Sequence, residues 1–201
     1  MRRQIISMAM LVALVLLGSF TADAKKKPEE PVRESFVATL LSASGNALNL
    51  TIAIQEFSTD DEVQQLVQSY ARGGEDSLRS AMGKSKKGYF TLSSQTVRLL
   101  MIQAQPVGTG RRLQLVGEAP DTIFSGETPG AFSSAGTGPR TMMAGHRDYD
   151  YIVIQLEVDE KGNGKGLLFP YCKVVFNKQG EIVITPMHPE PNQLVSVHWN
   201  K

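Results

Sequence analysis

The sequence predicts a mainly β fold: an antiparallel β-barrel or β-sandwich of about eight strands, with a helical insert near residues 59–83. Three observations predict it. Leu48, Leu50, Ile52 and Ile54 alternate with Asn49, Thr51, Ala53 and Gln55, the two-residue period of a half-buried strand. Short apolar runs recur along the chain, separated by clusters of Gly, Asn, Asp and Pro that turn the backbone. Only the stretch after Thr59 carries apolar residues at convincing helical spacing.

The first 24 residues read as a secretory signal. Arg2 and Arg3 precede an apolar stretch from Ile5 to Leu17, and Ala22-Asp23-Ala24 supplies small residues at a cleavage site. The stretch falls short of the roughly 20 apolar residues that cross a hydrocarbon core, so cleavage is expected rather than anchoring. The processed chain is then exported, periplasmic or extracellular, with no integral membrane span. Residues 25–34, with Pro28 and Pro31 among charges, form a linker, and residues 35–201 form one β-rich domain.

The elements follow in order. Phe36 to Ala43 and the strand ending at Ile54 pair through Ser44-Gly45-Asn46, whose Gly-Asn suits a tight hairpin. Thr59-Asp60-Asp61-Glu62 is a capping box, and Val63, Leu66, Val67 and Tyr70 line one helical face before Gly73-Gly74 stops it. A shorter helix spans Glu75 to Met82. Lys84, Lys86 and Lys87 then read as a solvated turn. Gly83-Lys84-Ser85 lacks the first glycine of a phosphate-binding loop and leaves a helix instead of entering one, which excludes nucleotide binding there.

Thr96 to Ala104 is apolar on both parities, as a central strand would be, and Leu113 and Leu115 mark the next strand. Residues 117–145 are rich in Gly, Pro, Ser and Thr without a period, a long irregular segment. His146 to Val158, Leu167 to Phe176, Glu181 to Thr185 and Leu194 to Trp199 complete the strands. Cys172, the single cysteine, shares the even parity of Leu168, Val174 and Phe176 and is expected to be an inert core residue.

The chemistry is sparse. The whole chain carries a net charge of +1, and loss of the signal with its two arginines and one aspartate leaves acids and bases balanced, so no nucleic-acid partner is indicated. The one dense polar group is His146-Arg147-Asp148-Tyr149-Asp150-Tyr151. Ile152, Ile154, Leu156 and Val158 define the core-facing parity, and the same period run backward places Asp150, Asp148 and His146 on that side. Buried carboxylates without partners are costly, so this end must be open to water, paired with cations or broken by a bulge. His146, Asp148 and Asp150 are therefore the candidate ligand-binding residues.

No metal site or cofactor is assigned. Asp159 opens like a calcium loop, but Pro170 stands where the bidentate glutamate is required, and His188 and His198 are isolated. Catalytic residues stay unassigned: there is no G-x-S-x-G, and nothing requires Ser133 or Ser134 to meet His146. The leading expectation is an exported, non-catalytic domain with a ligand-binding, partner-binding or structural envelope role. Two alternatives remain: a barrel carrying a small apolar ligand, with Thr96 to Ala104 lining its cavity, and a secreted hydrolase using His146 with Asp148 or Asp150.

Overall fold

The computed structural model describes residues 32–41, 47–119, 150–177, 181–187 and 190–200. The expected signal, nearly all of the linker, the 44–46 turn, Ser133, Ser134, His146, Asp148, His188 and most of the irregular segment lie outside the described residues.

The strands are β1 (Glu34–Leu41), β2 (Ala47–Ile54), β3 (Gly88–Leu92), β4 (Gln95–Val107), β5 (Gly110–Glu118), β6 (Tyr151–Val158), β7 (Gly164–Phe176), β8 (Ile182–Pro186) and β9 (Asn192–Trp199). They pair in the order β6-β5-β4-β3-β2-β1-β9-β7-β8, and a further β6–β7 pairing closes the sheet on itself. The result is a closed antiparallel barrel of eight strands, with β8 attached to the far half of β7 outside the circuit. Of the two architectures open to the sequence, the barrel is the one adopted.

The barrel interior holds one cluster of buried apolar side chains. Phe36, Leu50, Ile52, Phe90, Ile154 and Leu156 are among its wholly buried side chains, each contributing about 1.5–3 kcal/mol of transfer free energy as an upper estimate. A second core lies outside the sheet. There α1 (Asp60–Met82) lays Val63, Leu66, Leu78 and Met82 against Met101, Val116, Val153 and Val174. The expected capping box is present: Glu62 N–H donates to Thr59 Oγ1 at 3.3 Å, and Thr59 N–H donates to Glu62 Oε2 at 2.8 Å. The expected break is present too. Gly73 and Gly74 leave helical geometry, and Gly74 takes φ +62, a conformation open to glycine at little cost.

Three single-residue register shifts explain where simple alternation fails. In β4, Leu99 and Met101 oppose the adjacent pair Gly117 and Val116. The extra residue sends Leu100 and Met101 outward under α1, while Val97, Leu99 and Ile102 stay inside. This is why the strand is apolar on both parities. In β7, Tyr151 and Val153 oppose Cys172 and Phe169. The shift moves Cys172, Val174 and Phe176 to the outer core, so Cys172 is buried as expected but not on the face of Leu168. Pro170 sits within this bulge, where a strand tolerates a residue lacking an N–H. In β9, Ser196 is the extra residue and takes φ +52, leaving both Leu194 and Val197 inside.

Candidate functional site

Asp150 is the one predicted site residue among those described. Its carbonyl accepts from Ala119 N–H at 2.8 Å, which draws together the ends of β5 and β6. Its carboxylate pairs with Arg79 of α1, on the outside of the barrel. The expected inward projection is thus corrected: β6 begins only at Tyr151, the β7 bulge lies opposite, and a helical cation takes the carboxylate. Alternation cannot be extended past the last paired residue. His146 and Asp148 lie outside the described residues.

Around Asp150 lies a small charged cleft lined by Glu75, Leu78, Arg79, Tyr151 and Lys173. Its free volume of about 10 Å³ matches a single water rather than a ligand. Lys173 Nζ and Glu75 Oε1 stand 3.5 Å apart across it. The Tyr151 hydroxyl is buried with no hydrogen-bond partner among the described residues, and burial pushes its pKa up to about 12.

Lys87 corrects the reading of the lysine-rich turn. It is only 3% exposed. Its ammonium donates to Glu62 Oε1 at 2.7 Å, Glu62 Oε2 at 2.9 Å and Glu56 Oε2 at 3.1 Å. Burial works against its charge, but the hydrogen bonds to Glu62 and Glu56 outweigh it and raise the pKa. The same Lys87 bond, with Thr59 N–H, holds the Glu62 carboxyl below its usual range. The capping carboxylate therefore also ties the helix start to the strand entry, a tertiary role that a local motif does not reveal.

One end of the barrel carries a different arrangement. Phe36 and Trp199, paired residues of β1 and β9, stack with ring centroids 6.4 Å apart and planes 12° apart. The Arg111 guanidinium from β5 lies 6.0 Å from the centroids of Phe36, Phe57 and Trp199. It also forms a two-pronged pair with Glu34 of β1, at 3.1 and 2.6 Å. Gly162, in the β6–β7 turn, adopts φ +80 directly against the indole: a Cβ there would fall 2.5 Å from Trp199 Cβ. Beside these groups opens a groove of about 270 Å³ lined by Glu34, Thr109, Gly110, Arg111, Glu160 and Trp199. A neighbouring groove of about 430 Å³ shares Glu34 and Trp199 and adds Arg33, Ser35 and Asn200.

The sequence ends the last strand at Trp199 but does not reveal this site. Its side chains come from strands far apart in the chain, and no local spacing announces them. The Asp159 turn is a hairpin device: Asp159 Oδ1 accepts from Lys161 N–H at 2.9 Å and Asn163 N–H at 2.8 Å, and the Asn163 amide bond is the main cause of its lowered pKa. His198 is exposed, with Nδ1 2.9 Å from Ser196 O. Among the described residues, no group of three or more His, Cys, Asp or Glu side chains could hold a metal ion, and no helix is long and apolar enough to cross a membrane.

Comparisons of the chain with protein-family models, with curated proteins and with solved structures found no match.

Proposed function

We propose that the chain is an exported, non-catalytic binding domain whose recognition surface lies at the barrel end carrying Trp199. One observation carries the reading: the interior holds a cluster of buried apolar side chains, whereas charged and aromatic groups border an open groove at Glu34, Arg111 and Trp199. Binding energy in such a groove comes from a few placed polar groups around an apolar wall. The apolar-carrier alternative needed Thr96 to Ala104 to line a cavity. Instead, Val97, Leu99 and Ile102 pack inside, and Leu100 and Met101 pack beneath α1.

Expressed with its own leader in a bacterial host, the chain is expected in the envelope or medium with Lys25 as its N-terminus, read by mass spectrometry. An unprocessed cytoplasmic product would overturn export. The purified chain is expected to show no turnover of generic ester and glycoside substrates. Turnover that disappears in His146→Ala with an unchanged melt would replace this reading with the hydrolase.

A further inference from the structure

Apart from that groove, we infer that the free edge of β8 is a self-association surface, on which a second copy of the chain adds its own β8 antiparallel. The barrel closes through β6 and β7, so β8 ends the pairing order, and among the described residues no strand pairs with its outer side. Asn177 N–H donates to Glu181 O at 3.0 Å, and Met187 N–H donates to Tyr171 O at 2.8 Å. Antiparallel strands exchange such bonds at every second position, so Val183 and Thr185 also turn their backbone groups to β7. Ile182, Ile184 and Pro186 turn theirs outward. The edge thus offers the N–H groups of Ile182 and Ile184 and the carbonyls of all three, since proline has no N–H.

The composition of the edge points to an identical partner. Ile182 to Met187 holds no charged residue, so a second copy meets no like charge opposite and a charged peptide finds nothing complementary. Lysine or an inward charge commonly blunts such an edge, and β8 has neither. Pro186 selects the register. Pairing centred on Val183 sets Ile182 opposite the partner's Ile184, and the reciprocal bonds use every outward N–H and C=O of both residues in both copies. Pairing centred on Ile184 sets Ile182 opposite the partner's Pro186 and leaves the Ile182 carbonyl without a donor. In the first register Val183, 40% exposed, meets its own copy on the two-fold axis. Ile182 and Ile184, only partly buried against the outer core, then pair across the join.

Sedimentation velocity of the purified chain between about 1 µM and about 1 mM should show weak, reversible dimerisation, as one short strand pair allows. Val183→Lys and Val183→Glu each change an exposed side chain and should leave a cooperative melt. Each alone should sediment as a single chain, because like charges then meet on the axis. Mixed in equal amounts, the two should regain association. In oxidising buffer Val183→Cys should cross-link two copies. Facing residues at that non-hydrogen-bonded position have Cα atoms about 4.5 Å apart, inside the roughly 4.4–6.8 Å span of a disulfide. Thr185→Cys, which the same register sets opposite the partner's Glu181, should not cross-link.

A single chain at every concentration overturns the inference. Dimers that persist in both charged variants form through another surface and overturn it as well. Loss of association in the single variants without recovery in the mixture also rules out the two-fold pairing. So does cross-linking of Thr185→Cys as fast as that of Val183→Cys.

Discussion

The Lys87 ammonium lies 2.7 and 2.9 Å from the two carboxylate oxygens of Glu62, joining the first turn of α1 to the entry of β3. Glu62 is held below its ordinary value of 4.5, so it contributes stability that is present above that pH and lost as pH falls through the lowered folded value. Lys87 is raised above 10.5; its contribution is full below that pH and is lost as pH rises through the raised folded value. Lys87→Met should cost about 1–2 kcal/mol in urea melts, discounted because Glu62 and Glu56 remain partly exposed. It should also flatten the acid side of the stability profile. A variant as acid-sensitive as the parent would show that this pair does not set that slope.

Gly162 is fixed by two independent constraints. Its φ of +80 disfavours any other residue, and an added Cβ would drive into Trp199. Gly162→Ala should cost about 1–3 kcal/mol and shift the indole emission. Ser196→Gly makes the complementary change, since a serine now holds φ +52 in the β9 bulge. Relief of that strain should stabilise the chain by up to about 1 kcal/mol, set against the entropy glycine adds to the unfolded state. Thermal melts of the two variants should therefore move in opposite directions.

The strands and the helix were legible because a two-residue period and a capped helical stripe are written locally. Closure was not. A barrel needs bends, and here they are single inserted residues at Leu100, around Pro170 and at Ser196. One such residue inverts every later side chain of its strand, yet leaves no unique signature in composition. The doubled apolar pair Leu100-Met101 was the visible trace of one bulge, read as a buried central strand. The Lys87 hub and the Trp199 groove were illegible for a related reason: each joins residues from separate elements, and spacing along the chain carries no information about them.

Cys172 tests the cover that α1 gives the outer face of β7. Beneath α1 its thiol is wholly buried, its Sγ lies 3.5 Å from Phe169 O, and burial pushes its pKa up to about 12. The unfolded thiol ionises near 9.0, so this group withdraws stability as pH rises between those values. Iodoacetamide should label the folded chain slowly, at a rate that climbs with urea along the unfolding curve. Rapid labelling in native buffer would mean that α1 does not cover the residue.

The Asp150–Arg79 pair decides how much of the predicted constellation is available to a ligand. With its side chains 30% and 48% exposed, the pair sits in solvent-screened surroundings. A double-mutant cycle with Asp150→Asn and Arg79→Ala should give a coupling of about 0.2–1 kcal/mol that shrinks as salt is added. Because the carboxylate is already engaged, Asp150→Asn should leave any zinc or calcium isotherm of the chain unchanged. A weaker isotherm in that variant would show that a cation outcompetes Arg79 and draws Asp150 into a shared site. The same titration with His146→Ala and Asp148→Ala would then identify its companions, since real ligands lower the affinity whereas a solvated strand entry leaves it where it was.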